Sequence, residues 1–249
     1  GQDPKGATMA AVLTDENCRI LRLDRALEAP EPATDILQFF EGLPTRAPRH
    51  LGLIAPVLHI PNVFEPEFCS RLVAFYEKSG GTPSPSFVED SDGPQFLYDG
   101  SKIRQDCPVS DEPLIAEISR RVTHRVVPGV LKAFTRLVTG IEKYKIGCYR
   151  AEDGGRFTAH RDNISPATAH RRFAMSINLN TGDYEGGYLR FPEFGPDLYR
   201  PDRGDAIVYS SSLLHEVMPV TAGKRYTLLA HMYDEDSRAL NPKYRKPVS

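Results

Sequence analysis

His160 and Asp162 stand two residues apart in 157-FTAHRD-162, and a second histidine, His215, lies far downstream. Imidazole nitrogens and a carboxylate oxygen are ligands for a divalent transition metal. Two histidines and one carboxylate cap one face of an octahedron and leave the other open for substrates, the arrangement of non-haem Fe(II) oxygenases. A structural zinc site would close with four ligands, often cysteine. Cys18, Cys69, Cys107 and Cys148 have no spacing that supports it. In a strand the side-chain period of two puts Thr158, His160 and Asp162 on one face. Solvated turns and core histidines also produce an HxD pair, so the residue types alone leave both readings open.

Arg225 follows His215 by ten residues and opens 225-RYTLLAHMY-233. Alternation puts Arg225, Thr227, Leu229 and His231 on one face. A guanidinium fork with a hydroxyl two positions on can grip a carboxylate through three hydrogen bonds. The competing reading is an exposed arginine closing a turn after Gly223 and Lys224.

These residues need elements to carry them. From about Ile141, short β-rich segments alternate with Gly, Asp and Pro: 143–150, 156–162, 172–180, 188–191, 204–210, 214–220 and 225–233. Such spacing predicts a β-sandwich or barrel. Within 172–180, Phe173, Met175, Ile177 and Leu179 form an apolar side suited to packing under helices. Ala174, Ser176 and Asn178 form a small, polar side suited to a pocket. Helices are expected at 33–42, within 64–81 with Pro66 in its first turn and Gly80 and Gly81 as its stop, and at 112–137. The middle helix carries Phe68, Leu72, Val73 and Phe75 at helical spacing; the last carries Leu114 through Leu137 and an expected interruption at Pro128. Residues 43–58 look extended. Residues 80–111, rich in Pro, Gly and Asp, read as a long loop, either a lid or disorder.

The chain of 249 residues suits one large domain with an N-terminal extension, divided here as 1–50 and 51–249. Residues 1–6 are set aside as an expression remnant. A net charge of -2 gives no basic excess for nucleic acid. Scattered cysteines fit a reduced, cytoplasmic compartment. Neither a membrane span nor a secretory signal is visible.

The runs 147-GCYRAEDGGRFTAHRDN-163, 183-DYEGGYLRF-191 and 204-GDAIVYSSSLLHEVMPVTAGKRYTLL-229 resemble the 2-oxoglutarate- and Fe(II)-dependent dioxygenase superfamily, in its prolyl-hydroxylase-like branch. The resemblance covers roughly 141–236. It implies a mainly β fold, a double-stranded β-helix or jelly roll, supported by N-terminal helices. It implies Fe(II) held by His160, Asp162 and His215. The distal carboxylate of 2-oxoglutarate would pair with Arg225, helped by Thr227, with Tyr149 reaching into the same pocket beside Ser176 and Asn178. Asn178 departs from the family where many relatives carry a tyrosine. The implied reaction consumes O2 and 2-oxoglutarate, gives succinate and CO2, and hydroxylates an unactivated C–H bond, with ascorbate as a reductant. Asp162 favours hydroxylation over halogenation, because halogenating relatives have a small residue there.

The substrate is read only as a protein side chain or a small metabolite. Arg171 and Arg172 precede a strand at the expected pocket mouth, and Lys102 and Arg104 lie in the expected lid 98–106. These cations suit an acidic or phosphorylated group, or simply solubilise. Arg161, His124 and His170 read as solvated, His231 as a core histidine or one behind the metal, and 152-EDGG-155 as a turn. Segment 10–23 resembles the closing hairpin of a peroxiredoxin-like domain, without its cysteine motif. Two alternatives stay open: a non-catalytic jelly-roll scaffold that retains the triad, and a cupin-like metalloenzyme independent of 2-oxoglutarate, against which Arg225 argues.

Overall fold

The structure is a computed structural model that describes residues 11–14, 20–24, 32–43, 52–90 and 93–242. The chain divides into two compact units, Gly1–Leu51 and Gly52–Ser249. In the first, β1 (Ala11–Thr14) and β2 (Ile20–Asp24) pair as an antiparallel hairpin, and α1 spans Pro32–Glu41. Arg22 bonds both Asp24 and Asp35. Gly42 closes α1 by donating to Gln38 O, as the glycine in that position predicted. Cys18 and Pro30 lie outside the described residues.

The second unit opens with β3 (Leu58–Ile60) and α2 (Pro66–Ser79). Helix α2 ends at Gly80, whose φ of 74° suits glycine and whose N–H bonds Tyr76 O. Its buried face is Phe68, Cys69, Leu72 and Tyr76; Val73 and Phe75 sit only partly buried at its edge. The expected loop 80–111 is largely β structure: β4 (Thr82–Pro83), the hairpin β5 (Ser86–Asp90) and β6 (Gly93–Leu97), β7 (Lys102–Ile103) and β8 (Gln105–Pro108). Pro and Gly hid these strands. They are too short to show alternation, and β7 and β8 find their partners far downstream, at Arg156–Phe157 and Lys145–Cys148.

Helix α3 (Glu112–Phe134) starts where the Asp111 side chain accepts from Leu114 N. It runs unbroken through Pro128, against expectation. Proline removes one intrahelical bond and costs about 3 kcal/mol. Val126 and Val130, both fully buried around it, each return about 1.5–3 kcal/mol. Leu137 lies past the helix and is exposed.

The remaining strands are β9 (Gly140–Ile141), β10 (Lys145–Arg150), β11 (Arg156–His160), β12 (Phe173–Asn178), β13 (Tyr184–Gly186), β14 (Leu189–Arg190), β15 (Leu198–Tyr199), β16 (Ala206–Ser210), β17 (His215–Val217) and β18 (Val220–Tyr233), followed by a short α4 (Glu235–Arg238). The nine-stranded major sheet runs β3-β16-β12-β18-β10-β8-β4, with β9 and β13 also on β18. The minor sheet runs β15-β14-β17-β11-β7. All pairings in both are antiparallel.

Alternation along the strands sorts two cores. Phe173, Met175, Ile177, Ala206 and Val208 face α2 and α3, as the apolar side of 172–180 predicted. Ala174, Ile207 and Tyr209 turn the other way and meet Leu189, Phe191 and Val217 of the minor sheet. Helices thus cover one face of the major sheet, and the minor sheet covers the other. This is the double-stranded β-helix, mainly β with supporting helices.

Candidate active site

His160 ends β11 and His215 begins β17, and the two are register partners across the minor sheet. Their rings lie 4.2 Å apart, centroid to centroid. Asp162 is not on the strand, as alternation had suggested, but two residues beyond it, held by a bond from its N–H to Ser211 O. One ligand atom from each of His160, Asp162 and His215 falls within 4.8 Å of the others, the one such potential metal-binding group among the described residues. Asp162 Oδ1 is 3.6 Å from His160 Nε2, and Oδ2 is 3.5 Å from His215 Nε2. Cis ligands about 2.1 Å from a common ion lie about 3 Å apart, so a small contraction completes the donor set.

The histidine tautomers suit ligation. His160 Nδ1 lies 2.7 Å from Thr158 O and His215 Nδ1 2.9 Å from Leu213 O. A carbonyl only accepts, so each Nδ1 carries the proton and each Nε2 keeps its lone pair. Burial pulls His215 down to about 4 despite nearby Asp162, leaving it neutral near pH 7. Asp162 is held well below the usual carboxylate range: burial would raise it, but His231, His160 and His215 prevail. Phe157 stacks on His160, and the Tyr209 ring packs edge-on against His215.

The anion site lies on β18. Arg225 faces Tyr149 across the β10–β18 ladder and is 4% exposed. Its Nη2 donates to Asn178 Oδ1 at 3.1 Å, while Nε and Nη1 are buried without a hydrogen-bond partner. Two unpaired guanidinium N–H groups in a closed wall are costly unless an anion binds them. Those donors fit the distal carboxylate of a diacid. Tyr149 presents its ring 5.3 Å from the Arg225 guanidinium and accepts a bond from Arg104.

A cavity of about 690 Å³ joins the two sites; His160, Asp162, His215, Arg225, Tyr149 and Ser176 are among its walls. Asn178 and Thr227 are not. The Asn178 amide nitrogen donates to Thr181, Tyr184 and Pro201 O, which fixes its oxygen toward Arg225. Asn178 therefore holds the arginine instead of lining the pocket. The Thr227 hydroxyl bonds Ile177 O and the Ser176 hydroxyl, so Ser176 stands between it and the cavity.

The four expected substrate cations separate. Arg104 is buried in the wall where the chain steps from β7 to β8, bonded to Asp106, and is no part of a lid. Arg171 borders the cavity, but its fork is taken by both oxygens of Glu142. Arg172 pairs with Asp234 and is not among the lining residues. Lys102 lies 5.0 Å over the Phe157 ring and donates to Pro85 O; no carboxylate pairs with it among the described residues. Burial, then Arg104 beside it, pulls its ammonium down to about 6.

His170, expected in solvent, is 3% exposed and 3.1 Å from Glu142. Arg161 pairs with Glu193, and His124 is exposed. Sequence reasoning missed Glu142 and Asp106. Glu142 follows a two-residue strand, and Asp106 lies in the stretch read as loop. Only long-range pairing brings either to the site.

Residues 144–233 match the sequence profile of the 2OG-Fe(II) oxygenase superfamily. A PKHD-type hydroxylase of Pseudomonas aeruginosa (strain LESB58) is 29% identical over 180 residues, covering 68% of this chain and 75% of that protein. In three dimensions the chain is similar to a Trichoplax adhaerens prolyl hydroxylase in complex with a hypoxia inducible factor peptide fragment. The TM-score is 0.57 at 18% identity, over 74% of this chain and 86% of that one. A Pseudomonas putida prolyl-4-hydroxylase gives a TM-score of 0.55 at 14% identity, over 73% and 94%. With the HxD and distal histidine converging on the jelly roll, residues 144–233 carry both the sequence profile and the donor set of the 2OG-Fe(II) oxygenase superfamily. The chain is an Fe(II)- and 2-oxoglutarate-dependent hydroxylase, similar in sequence to PKHD-type hydroxylases.

Proposed function

We propose that the protein hydroxylates an unactivated C–H bond of a protein side chain or small metabolite that carries an anionic group. His160, Asp162 and His215 hold Fe(II). Arg225 takes the distal carboxylate of 2-oxoglutarate on Nε and Nη1, while Asn178 fixes Nη2 and Ser176 and Tyr149 line the same pocket. Bound together with O2, iron and 2-oxoglutarate supply the oxidant and leave succinate and CO2. The chain's own part is to orient both and to exclude water from the reacting face. The observation that carries this reading is the buried, two-thirds unpaired guanidinium in the cavity that also holds the triad. It favours a 2-oxoglutarate enzyme over a cupin-like metalloenzyme, which has no use for that cation.

Lys102 is the substrate contact in this reading. Apart from Arg225, which the cosubstrate takes, it is the cation on the wall without a carboxylate partner among the described residues, whereas Arg104 and Arg171 are neutralised by Asp106 and Glu142. An incoming carboxylate or phosphate would restore its proton and pair with it. A peptide substrate has a precedent in the Trichoplax adhaerens enzyme, in complex with a peptide fragment.

The test is an anaerobic Fe(II) titration with and without 2-oxoglutarate, following the weak visible band of the chelated keto acid. The band forms with wild type and is lost in Asp162→Ala. In Arg225→Ala at saturating iron it forms only at 2-oxoglutarate concentrations at least about a hundredfold higher, the equivalent of losing about 3 kcal/mol from a buried charge pair. A band indifferent to Arg225→Ala would sink the cosubstrate assignment.

A further inference from the structure

Asp162 is the one carboxylate of the triad, and it lies beyond the end of its strand. Its main chain is tied at two points, N–H to Ser211 O and carbonyl to Arg171 Nη1. The carboxylate itself needs a further contact to stop rotating about its two side-chain torsions. His231 supplies an edge: its Nε2 lies 3.4 Å from Asp162 Oδ2, the oxygen that also faces His215. The other edge of the ring, Nδ1, lies 3.3 Å from Glu142 Oε2.

Glu142 is a firm anchor. Arg171 bonds both of its oxygens at 2.8 and 2.9 Å, and His170 Nε2 approaches at 3.1 Å. Its N–H donates to His231 O, so main chain and side chain link the same two residues. His231 does not join the set of ligand atoms that converge within 4.8 Å.

Resting on the triad as the metal site, we propose that His231, held by Glu142, is a positioning residue that fixes the Asp162 carboxylate for metal binding. The ring takes no part in coordination. It limits the orientations that Asp162 samples before the ion arrives, so less freedom is lost on binding. Arg171 and His170 act one step further back by immobilising Glu142.

The experiment is Co(II) binding to the metal-free protein by calorimetry and d–d absorption, alongside the melting temperature of each apo variant. His231→Phe is expected to weaken Co(II) roughly 10- to 100-fold while the band pattern at saturation stays that of wild type. His231→Gln, whose amide can still donate to Oδ2, is expected to recover most of that loss. Glu142→Gln, with the ring in place but loosely held, is expected to fall between. Wild-type affinity in a folded His231→Phe would overturn the proposal, as would a band pattern at saturation showing that a nitrogen ligand had been lost. Should His231→Phe not fold, Glu142→Gln and His231→Gln decide, and wild-type affinity in Glu142→Gln overturns the anchoring. A wild type that binds no Co(II), or a His160→Ala that binds it unchanged, overturns the metal site itself and this role with it.

Discussion

At Arg225 a delocalised fork sits in a dry wall, with one nitrogen bonded to Asn178 and two waiting. A lysine there would keep the charge but lose the paired N–H geometry and the bond to Asn178. Arg225→Lys is therefore expected to raise the Kd for 2-oxoglutarate about tenfold or more, with Co(II) affinity in the absence of 2-oxoglutarate unchanged. Calorimetry at saturating Co(II) separates the two. The fork, its distance from His215 and the neighbouring Thr227 were all legible in the sequence. That Thr227 spends its hydroxyl on Ile177 O and Ser176 was not, because strand alternation gives a face but not a hydrogen-bond partner.

At the scale of elements, the site depends on how closely strands approach. Gly186 and Gly187 have φ of 75° and 62°, a region where side chains are strained. A Cβ at Gly187 would also stand 2.9 Å from Arg225 Cδ and 3.0 Å from Val220 Cγ2. Gly187, the residue after β13, thus clears the path of the Arg225 side chain. Gly187→Ala is expected to destabilise the fold by about 1–3 kcal/mol through strain and overpacking. It should also weaken 2-oxoglutarate more than Co(II), measured by thermal melts and by calorimetry on the surviving fold. If both ligands bind as to wild type, the glycine serves the turn alone. The sequence displayed the EGG run, but the clash it avoids exists only because β13 and β18 pair.

Across the whole oxygenase unit, buried charge ties the site to the stability of the fold. Burial alone would raise Glu142, but hydrogen bonds from His231 and Arg171 hold it down at about 2, against an ordinary value of 4.5. A folded value below the unfolded one means its contribution is fully present above pH 4.5 and is lost as the pH falls toward 2. The displacement corresponds to roughly 3 kcal/mol. Melts from pH 6 to pH 2.5 should show a falling midpoint, and Glu142→Gln should be less stable at pH 6 and flatter across that range. Parallel curves for the two proteins would remove Glu142 from the acid response.

The sequence by itself determined what depends on residue type and local period. The two histidines, the aspartate and the arginine were named by chemistry and spacing; the faces of 172–180 and the start and stop of α2 followed from alternation, Pro66 and Gly80. Tertiary structure alone decided what depends on distant pairing. Within 80–111, β8 and β7 exist because β10 and β11 offer them edges, and α3 survives Pro128 because the core beneath it repays the lost bond. Arg171 and His170 moved from solvent and substrate to Glu142, whose place beside His231 is set by a β9–β18 contact. Periodicity is written along the chain, whereas partners are chosen in space, and a buried charge takes its role from the partner it finds.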